Sequence, residues 1–249
     1  MKIKYRGFYG LIDRLDRLSG VLLRLVIFPV ALIAAYALFD FCQTELDAER
    51  SGKLAAAYVE ENGTDENAEV DFTALRQKNP EIVAWLRIPD TKIDFPVMHA
   101  RDNKFYLSHD YEKQFAITGG IFLDYRNSDS FSDDFSIIYG HRMSSGRMFS
   151  DIGKFKDKKF FDQHPRAFLY TPERNYVLKF VAFASIAGDD GAIYGFNYYT
   201  KGESLERINE HAINRRGEFV GGAGKYILLS TCSIESEGER DVLLGVLEE

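Results

Sequence analysis

Cysteine is almost absent from this sequence: its 249 residues include only Cys42 and Cys232. A small scaffold stapled by disulfide bonds needs more cysteines than this, so the fold must depend on a hydrophobic core. Proline is also scarce, with 6 residues in the chain, and no repeat of solenoid length is present in the sequence. These absences exclude a disulfide framework, a proline-rich fibrous protein and a repeat protein.

Excess positive charge is also lacking. The chain has 31 lysines and arginines against 38 aspartates and glutamates, which gives a net charge of −7. A surface that follows a phosphate backbone needs a basic patch, so nucleic acid is not an expected partner. Hydrophobic residues make up 45% of the chain, which is enough for one sizeable domain with additional segments.

A long hydrophobic run occurs at the N-terminus, and we predict a single transmembrane anchor over residues 21–42. Basic residues dominate the preceding residues 1–20 and acidic residues follow the run. Positive flanks stay in the cytoplasm, which predicts a cytoplasmic tail and a domain outside the cell membrane. A cleavable signal peptide would be shorter and end in small residues, which this run does not. A buried core helix is the alternative reading.

Residues 43–70 favour a helical stem, because alanine, glutamate, lysine and leucine are frequent there up to a stop signal at Asn62 and Gly63. Asp71 then predicts the N-cap of a short helix that ends before Pro80. We assign residues 71–249 to one catalytic or binding domain.

The domain is predicted to be mainly β, a barrel or sandwich. Short apolar runs rich in β-branched and aromatic residues alternate with turn residues. Helical insertions are predicted near residues 146–161 and 201–215, and we place them on the rim of a β-barrel. The predicted strands are IVAWLRI, IDFPVM, GGIFLDY, FSIIYGH, RAFLYT, NYVLKFVAFASIA, KYILLST and DVLLGVL.

Three reactive side chains lie at the ends of separate strands. Cys232 follows KYILLST, His141 follows FSIIYG, and Arg240 opens the last strand after a short loop. A thiol, a proton carrier and a cationic donor are what nucleophilic acyl transfer requires. The spacing alone leaves a structural cysteine, a turn histidine and an exposed arginine as open alternatives.

The residues around these positions resemble a known family. LSTC resembles the TLxTC signature of the sortases, with Leu228 in place of the first threonine, and YGHRM and Arg240 resemble the family's histidine and arginine sites. WLRIPDTKIDFPVMHA, DNKFYLSHDY, GGIFLDYRNS and the 201–215 helix are similar to class B sortases in particular. The resemblance implies a sortase-type closed β-barrel with peripheral helices, preceded by the transmembrane helix and the helical stem.

The resemblance also implies the chemistry. Cys232 would attack the carbonyl of a threonine within a sorting motif, so that the motif is cleaved after that threonine. His141 would transfer protons, and Arg240 would hold the substrate carbonyl and the oxyanion. The expected partners are secreted proteins with a C-terminal sorting signal and an amine of a peptidoglycan precursor. The alternatives are a pilin-polymerising sortase and an anchored β-domain without activity. Substrate contacts are expected from Ser230, Thr231, Asn103 and Leu107.

No metal or cofactor is predicted. The acidic cluster of Asp129, Asp133 and Asp134 lacks the regular ligand spacing of a calcium loop. The aromatic segment at residues 194–199 is either a wall of the substrate groove or ordinary apolar packing.

Overall fold

The fold is that of a computed structural model, which describes residues 17–20, 23–39, 41–42, 46, 57–60, 68–143, 146–195, 200–231 and 238–248. The chain forms two compact units, Met1–Glu45 and Leu46–Glu249. The nucleophile candidate Cys232 lies outside the described residues, as does most of the predicted stem.

Among the described residues of the first unit, a helix spans Arg17–Phe39, with 23 residues, a mean hydropathy of 2.4 and none of its most apolar window buried. At a rise of about 1.5 Å per residue, such a helix is about 34 Å long. The hydrocarbon core of a bilayer is about 30 Å thick, so the helix is long and apolar enough to cross it.

In the described part of the second unit, β1 (Val59–Glu60) and β2 (Glu69–Val70) form a two-stranded antiparallel ribbon. Helix α1 (Phe72–Lys78) follows, and the side chain of Asp71 accepts a hydrogen bond from the Ala74 backbone N–H at 2.9 Å. The predicted N-cap is therefore confirmed. The helix ends at Lys78 because the residue before Pro80 adopts extended backbone.

The eight predicted strands are confirmed. Strand β3 is buried on both faces, which explains its uninterrupted apolar sequence. The strands are β3 (Ile82–Arg87), β4 (Asp94–Met98), β5 (Ile121–Leu123), β6 (Phe135–Tyr139), β7 (Arg166–Tyr170), β8 (Asn175–Ala187), β10 (Lys225–Ser230) and β11 (Glu239–Glu248).

These eight strands close into a barrel. The order is β11-β10-β6-β5-β4-β3-β7-β8, and β8 pairs with β11 to complete the ring. The pairing of β10 with β6 is parallel, with Ser230 opposite Tyr139, whereas β10 and β11 are antiparallel, with Ser230 opposite Val242. This register brings the chain after β10, the chain after β6 and the start of β11 to one end of the barrel.

Strand residues alternate between two hydrophobic clusters, as the two-residue period of a β-strand requires. Leu229, Ile138 and Leu243 belong to one cluster, together with the 3₁₀ helix Phe149–Lys156. Their neighbours in sequence belong to the second cluster, which also contains Leu205 and Ile208 of a peripheral helix. The peripheral helices are α2 (Lys158–Gln163), α3 (Gly191–Tyr194) and α4 (Lys201–Glu210), and a second 3₁₀ helix spans Phe105–Leu107.

Two local predictions require correction. The helix predicted at 201–215 ends at Glu210, and Ala212–Arg215 forms strand β9, because that segment pairs with the half of β8 that β7 leaves free. Ile213 continues the helical spacing in sequence but is 45% exposed. The helical run predicted up to residue 62 lies mostly outside the described residues, but Val59 and Glu60 within it form β1, which pairs with β2.

Candidate active site

A cavity of about 170 Å³ opens at the barrel end where β6, β10 and β11 meet. It is smaller than the roughly 300–1,000 Å³ typical of small-molecule sites, and we call it the groove. The structure brings His141 and Arg240 together with all four residues predicted to contact substrate. The described lining residues are Asn103, Leu107, Phe122, Tyr139, Gly140, His141, Tyr194, Ser230, Thr231 and Arg240.

His141 comes two residues after β6, and its ring is held by the segment that connects β4 to β5. The Nε2 atom lies 2.9 Å from the Leu107 carbonyl oxygen. Because a carbonyl oxygen can only accept, this contact places a hydrogen on Nε2 and leaves Nδ1 of the neutral ring as the acceptor. Gly119, at φ +58°, lies so close that a Cβ there would be 2.9 Å from the imidazole Cδ2.

Arg240 lies near the start of β11 between two aromatic rings. Its guanidinium carbon is 4.8 Å from the ring centroid of Tyr194 and 5.8 Å from that of Tyr139. Gly188 permits close approach on the strand side, since a Cβ there would be 3.1 Å from the Arg240 Nε. With the described residues the guanidinium makes no hydrogen bond or ion pair, so its N–H groups can donate to a ligand.

The end of β10 forms the third wall. The Ser230 and Tyr194 hydroxyls are hydrogen-bonded at 2.8 Å, and the Thr231 backbone N–H donates to the Asp241 carbonyl at 3.0 Å. Thr231 is 2% exposed, and its hydroxyl has no hydrogen-bond partner among the described residues. Cys232 is the next residue in the chain, and its own position lies outside the described residues.

A buried carboxylate that the sequence analysis missed lies behind the groove. Asp124, 1% exposed, accepts hydrogen bonds from Asn103 Nδ2 and Tyr139 Oη, both at 3.0 Å. It also pairs with Arg126 through Nε at 2.8 Å and Nη2 at 2.7 Å. Arg126 in turn donates to the Gly195 carbonyl, at the end of the helix that carries Tyr194. One carboxylate therefore connects the segments that carry three of the lining residues, Asn103, Tyr139 and Tyr194.

Burial and hydrogen bonding act in opposite directions on this carboxylate. Burial raises the pKa of Asp124, but the hydrogen bonds and positive charge of Arg126, with Asn103, outweigh it and bring the pKa below its usual value. Burial and the neighbouring Asp124 charge raise the pKa of Tyr139 well above its ordinary value. The Asp124 side chain is therefore ionised and the Tyr139 phenol is neutral at physiological pH.

The signal for this network in the sequence is faint. An aspartate directly after the buried strand β5, with arginine two residues later, is also the pattern of an ordinary surface turn. Tyr194 of the aromatic segment lines the groove, while residues 196–199 lie outside the described residues. Within the described part of the chain, no group of three or more His, Cys, Asp or Glu side chains could hold a metal ion.

Comparison with known proteins relates this barrel to one group of enzymes. The chain is 36% identical over 181 residues to sortase B of Listeria monocytogenes, covering 71% of this chain and 74% of that protein. It is 29% identical over 99 residues to sortase B of Staphylococcus aureus, which covers 40% of this chain and 41% of that protein. No family model matches the chain.

Solved structures agree in fold. Sortase B from Bacillus anthracis superposes with a TM-score of 0.69 at 26% identity, covering 84% of this chain and all of that one (100%). The Listeria monocytogenes structure gives a TM-score of 0.61 at 33% identity over 70% of this chain and 98% of that one. A Streptococcus pyogenes class B sortase involved in pilus biogenesis gives 0.66 at 27% identity, covering 72% and 98%.

Proposed function

The chain belongs to the class B sortases, a family of cysteine transpeptidases, and from this premise we propose that it joins secreted proteins to an amine of the cell wall precursor. The observation that carries the proposal is the groove in which His141 and Arg240 lie with Thr231, the residue before Cys232. The substrate would be a C-terminal sorting motif that is cleaved after threonine.

In the proposed reaction the Cys232 sulfur attacks the carbonyl carbon of the threonine. A sulfur–carbon bond forms, the carbon–nitrogen bond breaks, and His141 carries the thiol proton to the departing nitrogen. The guanidinium N–H groups of Arg240 stabilise the negative charge that develops on the carbonyl oxygen. An incoming amine then gives up a proton to His141, attacks the thioester and releases the enzyme.

The groove walls support the choice of an extended peptide as substrate. Asn103 and Leu107 line one side, Ser230 and Thr231 the other, and Leu107 is 46% exposed and free to contact a ligand. The Asn103 amide is already bonded to Asp124 and to the Tyr125 backbone N–H. We therefore expect it to present a fixed orientation to substrate rather than to adapt.

A second candidate acceptor is a lysine side chain of a pilin, because one similar structure is a class B sortase involved in pilus biogenesis. The two acceptors can be separated by offering the acyl-enzyme a cell-wall peptide amine and a lysine-bearing pilin domain in competition. Preferential transfer to the pilin lysine would reassign the acceptor and leave the acylation chemistry unchanged.

We also propose that the Arg17–Phe39 helix anchors the protein in the cell membrane with the barrel outside, since basic residues precede the helix and acidic residues follow it. Protease added to intact protoplasts should then digest the barrel. Protection of the barrel would contradict this orientation.

The experiment that tests the division of roles is single-turnover acylation with an amide and an ester of the same sorting peptide. An ester needs little help with its leaving group, so His141→Ala should be impaired on the amide and partly restored on the ester. Arg240→Lys loses the forked donor geometry and should be impaired on both, by a factor of about 100 to 1,000.

His211→Ala and Arg215→Lys are the matched controls, because both side chains are exposed near the end of α4, away from the groove. They should acylate like the parent on both donors. Equal restoration of His141→Ala and Arg240→Lys by the ester would show that the assignment of roles is mistaken.

A further inference from the structure

A partly buried ion pair lies next to His141 and Arg240 in the chain. Arg142 follows His141 and Asp241 follows Arg240, and Arg142 Nη1 donates to Asp241 Oδ2. Their side chains are 19% and 7% exposed. Neither is among the described residues that line the cavity, and Asp241 points away from it because Arg240 and Asp241 are successive residues of β11.

Asp241 makes two further contacts, one with β8 and one with the end of β10. Its Oδ1 accepts a hydrogen bond from the Ser185 hydroxyl of β8 at 3.0 Å. Its backbone carbonyl accepts from the N–H of Thr231, the residue that precedes Cys232. Asp241 is thus linked to the immediate chain neighbour of His141 and of Cys232, and it is itself the neighbour of Arg240.

The arginine of this pair is held in place on its other side. A Cβ at Gly153 would lie 2.9 Å from Arg142 Nη2 and 3.0 Å from its Cζ, so the 3₁₀ helix that contains Gly153 packs directly on the guanidinium. The Arg142 backbone also forms a β-bridge with Met148. The guanidinium therefore has little freedom to follow a displaced partner.

We infer that Arg142 and Asp241 are positioning residues that fix the separation of the His141 imidazole, the Arg240 guanidinium and the chain at Thr231. A buried ion pair adds little net stability compared with well-packed apolar residues, and its best-attested use is to fix one arrangement of the chain. The inference rests on the proposed function, because it assigns the pair to the residues proposed to act on substrate.

The test removes the charge of Asp241 and measures two properties. The single-turnover acylation rate is measured at saturating sorting peptide and divided by the concentration of titratable Cys232 thiol. Asp241→Asn should lower this rate by about 10- to 100-fold, because a displacement of about 1 Å can lower a catalytic rate by about 100-fold. The second property is the pH profile of Cys232 alkylation by iodoacetamide, which reports the charges near the thiol whether or not peptide is used. Its midpoint should shift in Asp241→Asn.

The matched control is Asp94→Asn, which breaks the Arg87–Asp94 ion pair between β3 and β4, away from the groove. It should lower the melting temperature and leave both the acylation rate and the alkylation profile at parental values. Arg142→Lys keeps the charge without the fork and should acylate at an intermediate rate. The double variant Arg142→Gln with Asp241→Asn leaves no unpaired charge, so it should acylate no more slowly than Asp241→Asn alone.

Loss of acylation and a shifted profile in Asp241→Asn, but not in Asp94→Asn, would support the inference. Parental acylation and an unshifted profile in Asp241→Asn, with only a lowered melting temperature, would overturn it. If Asp241→Asn does not fold, Arg142→Lys and the double variant decide the question by the same two measurements. A further outcome is that the parent forms no acyl-enzyme with any peptide while the pH profile of its Cys232 alkylation still shifts when the Arg142–Asp241 pair is broken. That result would refute the proposed function and leave the positioning role intact.

Discussion

The buried carboxylate of Asp124 gives the largest predicted effect of a single substitution on stability. Its two oxygens accept hydrogen bonds from the Arg126 side chain and backbone, from Asn103 and from Tyr139. In Asp124→Asn one oxygen becomes an amide group that faces these donors, and the Arg126 charge loses its partner. Breaking a buried ion pair by removing one member costs about 3–5 kcal/mol.

That loss is large against the roughly 5–15 kcal/mol by which a domain is stable. For a domain of roughly 180 residues, each kcal/mol corresponds to about 2–4 °C, so the melting temperature should fall by about 6–20 °C. Thermal unfolding of the fragment beginning near residue 44, followed by circular dichroism, measures this shift. In the control Asp162→Asn, the Lys158–Asp162 pair is broken, and both of its side chains are about half exposed. This substitution should lower the free energy of unfolding by less than about 1 kcal/mol.

The difference in melting temperature between Asp124→Asn and the parent should become smaller in acid. The pKa of Asp124 in the folded protein lies below its usual value, so its stabilisation is complete above the unfolded-state value of about 4 and is lost as the pH falls through the folded-state pKa. The variant has no such group and loses nothing through it. A melting temperature within about 2 °C of the parent at pH 7, or a gap that widens in acid, would refute this reasoning.

Three further substitutions probe the groove itself. Gly119→Ala should slow acylation at least about tenfold, because its new methyl group meets the backbone carbonyls of Tyr106 and Leu107 and the His141 ring that the Leu107 carbonyl holds. Gly217→Ala, with almost the same φ of +59° and nothing within 4 Å, should cost only the backbone strain of about 1–2 kcal/mol. Equal rates in the two alanine variants would exclude a steric effect on the imidazole. Tyr194→Phe loses the hydrogen bond to Ser230 but keeps the ring over Arg240, so it should acylate better than Tyr194→Ala, and the reverse order would contradict the proposed role of the ring. Cys232→Ala should abolish peptide cleavage and amine transfer with little change in melting temperature, and residual turnover close to that of the parent would exclude a thioacyl intermediate.

The barrel strands were accessible to sequence reasoning because each carries its own local signal of apolar, β-branched residues between turns. Closure of the barrel was predicted only through the family resemblance, since the pairing of distant segments such as β8 and β11 leaves no local pattern. Strand β9 was mistaken for helix because Ala212 and Ile213 continue the helical spacing of Leu205 and Ile208. Its pairing with β8 decides the conformation there, and local propensity does not.

The same contrast applies to the site. Motif resemblance pointed to His141, Arg240 and the four groove residues, and the structure places all six on one cavity. The supporting charges behind them, Asp124 and Asp241, left no readable signal. Several of their partners are distant in sequence, such as Arg142 for Asp241 and Asn103 for Asp124, and an isolated aspartate in a sequence resembles one more exposed charge.

The closing strand also determines when the enzyme can first act. β11 fills the gap between β8 and β10 and carries Arg240, so the groove is incomplete in any chain that ends before Glu239. β11 follows β10 closely in sequence, whereas its pairing with β8 closes a long loop, and the entropy of closing that loop opposes completion of the ring. Under the proposed roles, Cys232 has no oxyanion donor in a chain that ends before Arg240, even though the segment that leads to the thiol is already present.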